Sequence, residues 1–161
     1  MIPIEKLLEE HEKIGISDCL TGKICRYNGE YLGIKRIEKL LAVEKVFGFC
    51  PEVQGGLSTP RDPAEILQGD GIDVWNNESK ILTIQGEDVT EEFKNGARIV
   101  LKLLKEKNIS AVILKEYSPS CASCTIYDGT FSGTKKNGIG VTTALLRKNK
   151  VTVYSDEEIK F

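Results

Sequence analysis

The amino-acid sequence predicts an α/β fold, a three-layer sandwich around a mainly parallel sheet with a small β-hairpin beside it. Three observations carry this. Short apolar runs of strand length at residues 14–17, 46–49, 111–115 and 151–154 are separated by stretches of helical period at 33–44, 89–107 and 140–149. Strand alternating with helix builds a parallel, Rossmann-like sheet through helical crossovers. The thiols supply the third: Cys19, Cys50 and Cys121 each come just after one of the predicted strands. Parallel strands end on one edge of their sheet, so these three thiols are expected to converge there.

Taken in order, residues 3–13 read as a short amphipathic helix, with Ile4, Leu7 and Leu8 facing inward. The strand Ile14–Ser17 runs into Asp18-Cys19-Leu20-Thr21-Gly22, and Cys25-Arg26-Tyr27-Asn28-Gly29 follows, where Asn-Gly marks a turn. The helix at 33–44 rests on the spacing of Ile34, Ile37, Leu40 and Leu41. Val46–Phe49 is stopped by Cys50-Pro51, because proline brings no N–H to a ladder. After the loop 55–63, Ala64–Leu67 offers a turn of helix. Val74–Asn76 and Ile81–Ile84 read as the small hairpin, turning at Asn77-Glu78-Ser79. Asp88 and Glu91 have capping-box spacing and open the longest helix, with Val89, Phe93, Ala97, Val100 and Leu104 on one stripe. A loop is expected over 131–138, then the last helix and strand. Ser155 and the acidic run Asp156–Glu158 leave that strand at the same edge as the cysteines.

Composition narrows the function. The 161 residues suit one domain, 1–161, in which 1–13 form an N-terminal helical extension. A net charge of −2 gives no basic field, so there is no strong nucleic-acid signal. No apolar run approaches the roughly 18 residues that span a bilayer. The N-terminus lacks the apolar centre of a secretory signal, and a cytoplasmic location is expected. An odd count of five cysteines argues against a disulfide frame. The single histidine, His11, excludes Cys/His and Ser/His/Asp machinery and a histidine-based zinc site. Acid–base work then falls to carboxylates, hydroxyls or a metal-bound water.

The densest polar chemistry lies between Lys115 and Gly129, where a buried strand breaks into Ser118-Pro119-Ser120-Cys121-Ala122-Ser123-Cys124. Three thiolates without histidine suit a soft metal centre, such as an iron–sulfur cluster with one open iron. Zinc on three cysteines plus water is the nearest competitor. Cys121-x-x-Cys124 also has the spacing of a dithiol pair. Cys25 is open to three readings: further ligand, neighbour of the ligands, or core. A binding protein whose cysteines only line a pocket is the non-catalytic alternative.

Ser17–Gly22 with Cys25–Gly29, then Cys50-Pro51-Glu52 with Gly55-Gly56-Leu57 and Pro60–Ile66, and finally Leu114–Glu116 with Ser118–Cys121 and Ile126–Gly133, resemble the small bacterial and archaeal family that includes thiouracil desulfurases. The resemblance runs in order from about Ile14 to Glu158. It implies a [4Fe–4S] cluster on Cys19, Cys50 and Cys121, sensitive to loss in air. It further implies hydrolytic, non-redox removal of sulfur from a thiolated pyrimidine such as 2-thiouracil, leaving uracil and sulfide. Glu52 or Glu116 is then expected as the acid–base group, with Ser118 positioning substrate or water. Arg26 and Arg61 either bind an anionic substrate or form salt bridges, and Tyr127 and Asp128 either line the pocket or cap a turn. Trp75 either covers the pocket mouth or belongs to the core. Four positions depart from the family pattern: Asp18, Thr21, Ala122 in place of glycine, and the additional Cys124. Cys124 as a fourth ligand would close the open iron.

Overall fold

A computed structural model describes residues 1–161. The chain opens with β1 (Ile2–Pro3), α1 (Ile4–Glu10), β2 (Ile14–Ser17), α2 (Lys35–Ala42), β3 (Val46–Phe49) and the short α3 (Pro51–Gln54). It continues through β4 (Ala64–Leu67), α4 (Gly71–Trp75), β5 (Lys80–Thr83), α5 (Thr90–Glu106) and β6 (Ala111–Leu114). The last part holds β7 (Thr125–Tyr127), β8 (Lys135–Asn137), α6 (Val141–Lys148), β9 (Thr152–Ser155) and β10 (Ile159–Lys160).

The central sheet has the order β3-β2-β6-β9, and every pair in it is parallel. Side chains alternate across it. Ile14, Ile16, Ala111 and Ile113 face Ile4 and Leu7 of α1 and Ile37 and Leu40 of α2. Val112, Leu114 and Val153 face Val100 and Leu104 of α5 and Leu146 of α6. The mainly parallel three-layer sandwich is therefore present, and each fully buried Ile, Leu or Phe contributes roughly 1.5–3 kcal/mol to it. From β2 the chain moves sideways to β3, then returns to place β6 on the other side of β2. Right-handed crossovers running in opposite directions put their helices on opposite faces. That reversal opens a crevice between the carboxyl ends of β2 and β6, where α/β proteins place their ligands.

The differences from the sequence reading lie outside this sheet. Ala64–Leu67 is a strand, not a helical turn, pairing antiparallel with β5 from Ala64↔Thr83 to Leu67↔Lys80. Four residues carry too little period to separate the two states, and ladder pairing decides. Val74 and Trp75 lie in α4, so the expected hairpin partner of 81–84 is a helix. Asp70 caps it: its Oδ1 accepts the Ile72 N–H at 2.9 Å, while Asp73 Oδ2 accepts the Asp70 N–H at 2.8 Å. Within the expected loop, Lys135–Asn137 pairs antiparallel with Thr125–Tyr127. The long helix begins at Thr90, and Asp88 Oδ1 accepts the Thr90 N–H. The N-terminal helix ends at Glu10 rather than residue 13, and β1 before it pairs with β10.

Two glycines set how closely α3 approaches α5. A Cβ on Gly55 would strike the Glu92 carbonyl, and one on Gly96 would strike the Pro51 carbonyl. Gly55 thus serves helix contact, and Gly56, at φ +94°, makes the tight turn. This contact fixes the segment that carries Cys50 and Glu52.

Candidate metal centre and active site

The sheet register aligns the strand ends that carry the site. Ser17 pairs with Phe49 and Leu114 with Ser155, so residues leaving β2, β3, β6 and β9 emerge at one edge. Cys19 sits in a tight turn at Asp18–Thr21, held by the Thr21 hydroxyl donating to the Asp18 carbonyl at 2.8 Å. Cys50 is the residue before α3, whose first position is Pro51. Cys121 is placed by Ser118, whose Oγ accepts the N–H groups of Ser120 at 3.0 Å and Cys121 at 3.1 Å. Thr143 and Gly140 lock the same turn from α6, through the Cys121 and Ala122 carbonyls. Cys19, Cys50, Cys121 and also Cys25 line one cavity of about 390 Å³.

Cys124 does not line that cavity. It is exposed, and its Sγ lies 3.6 Å from the neighbouring Thr125 hydroxyl. Among the lining thiols, Cys25 touches Cys19 and Cys50, and Cys50 lies close enough to Cys121 to act on it. Contact with Cys19, and then burial, pushes the Cys25 thiol up to about 12 against the opposing contact with Cys50. The Cys25 contact first, then burial, raises Cys50, whereas burial chiefly raises Cys121. Crowded, buried thiols favour their protonated forms until a cation arrives to stabilise thiolates. No three His, Cys, Asp or Glu side chains are arranged around one point as a single metal ion requires. A tetrahedral zinc site, with sulfur at about 2.3 Å from the metal, needs that arrangement. An iron–sulfur cluster takes its thiolates on separate irons, and thiols brought to one cavity from three strand ends fit it.

The two carboxylates expected to carry protons sit in different surroundings. Glu52 lines the cavity, where burial raises its pKa, opposed by Arg61 and by the Ser118 hydroxyl. Its Oε1 accepts from Arg61 Nε at 3.3 Å. Arg61 is otherwise spent on the protein itself, donating to the Cys25 carbonyl at 2.9 Å, the Ser58 carbonyl at 3.0 Å and Thr59 Oγ1 at 3.2 Å. Glu116, only 3% exposed, organises the loop. Its Oε1 accepts the N–H groups of Ser123, Cys124 and Thr125, and its Oε2 accepts the Ser123 hydroxyl at 2.8 Å. Burial pushes Glu116 up, but the Thr125 and Cys124 N–H groups with the Ser155 and Ser123 hydroxyls outweigh it and hold the carboxyl low.

Arg26 and Tyr127 line the cavity, and Arg26 also pairs with Glu30 at 3.4 Å. Asp128 is outside the lining and caps the turn at Gly129 by accepting the Thr130 N–H at 3.0 Å. Trp75 is not among the lining residues; its Nε1 donates to the Val141 carbonyl at 2.8 Å, joining α4 to α6. Sequence reasoning missed Tyr27, Tyr117, Glu65 and Lys115 as lining residues. Position was the available signal for Lys115 and Tyr117, which follow β6 directly. Glu65 gave none while 64–67 read as helix; in β4 its Oε1 accepts the Gly129 N–H at 3.0 Å. Asp18, 9% exposed, also lines the cavity. Its Oδ1 lacks a well-aligned hydrogen bond, though the Lys23 ammonium stands 3.0 Å away.

The fold and site define a class: a parallel α/β protein with a thiol-lined crevice at the switch point of its sheet. The family model described as 2-thiouracil desulfurase matches residues 14–158, and the chain belongs to that family. It is 53% identical over 144 residues to the uncharacterized protein YbbK of Bacillus subtilis (strain 168), covering 89% of this chain and 95% of YbbK. A solved structure described as the [4Fe–4S]-dependent thiouracil desulfidase TudS superposes with a TM-score of 0.80 at 43% identity, over 91% of each chain. No helix is long and apolar enough to cross a membrane.

Proposed function

We propose that this protein is an iron–sulfur-dependent desulfurase that hydrolyses a thiolated pyrimidine such as 2-thiouracil to uracil and sulfide. The observation that carries the reading is the meeting of Cys19, Cys50 and Cys121 with Glu52 and Ser118 in one cavity at the carboxyl edge of the sheet. The family and the likeness to TudS support it. Cys19, Cys50 and Cys121 would hold a [4Fe–4S] cluster, leaving one iron without a protein ligand. When bound, the cluster supplies a Lewis-acidic iron that polarises the carbon–sulfur bond.

The chain's own groups do the rest. Glu52 is the base that takes a proton from water as its oxygen bonds to the ring carbon and the carbon–sulfur bond breaks. The sulfur leaves at the oxidation level at which it arrived, so no electron donor is consumed. The Ser118 oxygen is engaged by two backbone N–H groups, which aims its own O–H toward Glu52 and the substrate. Glu116 keeps the loop of Cys121 in shape rather than moving protons, because its oxygens already accept four hydrogen bonds. Arg61 positions Glu52. Tyr27, Tyr117 and Tyr127 offer flat faces to a planar ring at the mouth. A reducing cytoplasm suits these free thiols.

Purification without oxygen tests this. The expected result is brown protein with about four irons and matching acid-labile sulfide per chain, releasing sulfide from 2-thiouracil. Colourless protein with about one zinc and no sulfide release overturns the reading in favour of a structural metal site.

A further inference from the structure

A second cavity, about 480 Å³, lies against the first. The two share Glu52, Arg61 and Ala64, and no cysteine lines the second. The Glu52–Arg61 pair therefore stands at their boundary. Arg61 is tied to the carbonyls of Cys25 and Ser58 as well as to Glu52, so the Glu52 carboxylate is held there. Glu52 alone among the groups assigned to the chemistry faces both sides.

We propose that the second cavity is the solvent entrance of the active site, delivering to Glu52 the water that hydrolysis consumes. The inference rests on the desulfurase reading. Each turnover forms one carbon–oxygen bond from one water and breaks one carbon–sulfur bond. Both protons of that water leave with the sulfur as H₂S, or one as HS⁻ and the other to solvent. A pyrimidine seated among the tyrosines stands at the mouth of the front cavity, so water entering by that mouth must pass the substrate. The second cavity reaches the same carboxylate from behind and has many times the space one water needs.

Charge decides what passes. Glu52, Asp62 and Glu87 give the second cavity three carboxylates against the single Arg61 guanidinium. That field disfavours anionic hydrosulfide against neutral water more than the front cavity does, where Arg26, Arg61 and Lys115 stand among Asp18, Glu52, Glu65 and Glu116. Ser58 and Thr83 add hydroxyls along the path, between the apolar walls of Leu57 and Phe93.

The test narrows the entrance at its rim. Ser58 is exposed, and its hydroxyl donates only to the Pro60 carbonyl at 3.2 Å. In anoxically prepared holoprotein, Ser58→Trp is expected to lower kcat for 2-thiouracil about tenfold while KM and iron content stay at the wild-type values. With uracil saturating the front cavity, carbodiimide labelling of Glu52, read by peptide mass spectrometry, should continue in the wild type and fall in Ser58→Trp. Should that variant melt early, Glu87→Trp blocks the same cavity from an exposed position and carries the same expectation. Unchanged kcat and labelling in the blocked variant, or full protection of wild-type Glu52 by uracil alone, overturns the proposal. Wild-type protein that releases no sulfide would instead overturn the desulfurase reading, which separates the two failures.

Discussion

The carboxylate of Glu116 accepts the backbone N–H of Thr125 at 2.9 Å, across a loop that contains Cys121. With the N–H groups of Ser123 and Cys124 on the same oxygen, this is the bond set that gives the loop its shape. Removing the acceptor leaves buried donors unpaired, at roughly 1–3 kcal/mol for each that water cannot reach. Glu116→Ala is expected to lose about 3 kcal/mol in urea unfolding and to bind less iron, because Cys121 loses its fixed position. Full stability in the variant would show that the loop is held elsewhere.

Glu116 also makes acid sensitivity testable. Its folded-state pKa is held below the unfolded value, so the folded protein binds fewer protons there than the unfolded chain. Its stabilisation is present above the unfolded pKa and is lost as pH falls through the folded one. Urea midpoints of the metal-free protein should fall with acid in the wild type and fall less steeply in Glu116→Gln. Parallel profiles would remove Glu116 as a source of acid sensitivity.

Glu52 shifts the other way. Burial raises it, against Arg61 and Ser118. A base works when ionised, so turnover should rise with pH along a limb above the ordinary glutamate range of about 4.3. Arg61→Met removes the opposing charge and should move the limb higher. Glu52→Gln should cost roughly 10²–10⁴ in kcat with iron content retained. An unmoved limb in Arg61→Met, or normal turnover in Glu52→Gln, would take the base role from this residue.

The central sheet was legible because its strands are four-residue apolar runs set between long amphipathic helices, such as Val100 and Leu104 on the stripe of α5. The convergence of thiols followed from where parallel strands end. What escaped the reading depends on pairing between distant segments. Ala64–Leu67 becomes a strand only by meeting Lys80–Thr83, and Lys135–Asn137 only by meeting Thr125–Tyr127. The α4 helix did leave a local signal, the Asp70/Asp73 capping box, which the apolar Val74-Trp75 obscured. Glu52 and Glu116 look alike in sequence. Only their partners, one guanidinium against a set of backbone N–H groups, tell them apart.

The cysteines divide by location. Cys50→Ser should lose colour and turnover together, since Cys50 lies on the cavity at the end of β3. Cys124→Ala should keep the wild-type spectrum and rate, because Cys124 is exposed and off the cavity. Cys25→Ser should keep its irons, as that thiol contacts Cys19 and Cys50 but leaves no strand of the sheet. Loss of iron in Cys25→Ser or Cys124→Ala, measured per chain under anoxic conditions, would enlarge the ligand set.

Tyr127 is the last position at issue. It lines the mouth, directly across the hairpin from Lys135, whose ammonium stands 5.7 Å from its ring and 3.7 Å from that of Tyr117. The two rings lie 6.5 Å apart at 53°, so their faces are not stacked on one another. A planar heterocycle on one ring gains roughly 1–3 kcal/mol by the measure of alanine substitution at base-stacking sites. Tyr127→Ala should therefore raise KM for 2-thiouracil about 5- to 150-fold with kcat changed far less, and Tyr127→Phe should restore it. A fall in kcat alone would place Tyr127 in the chemistry, and an unchanged KM would mean that the ring binds deeper, against the cysteine end of the cavity.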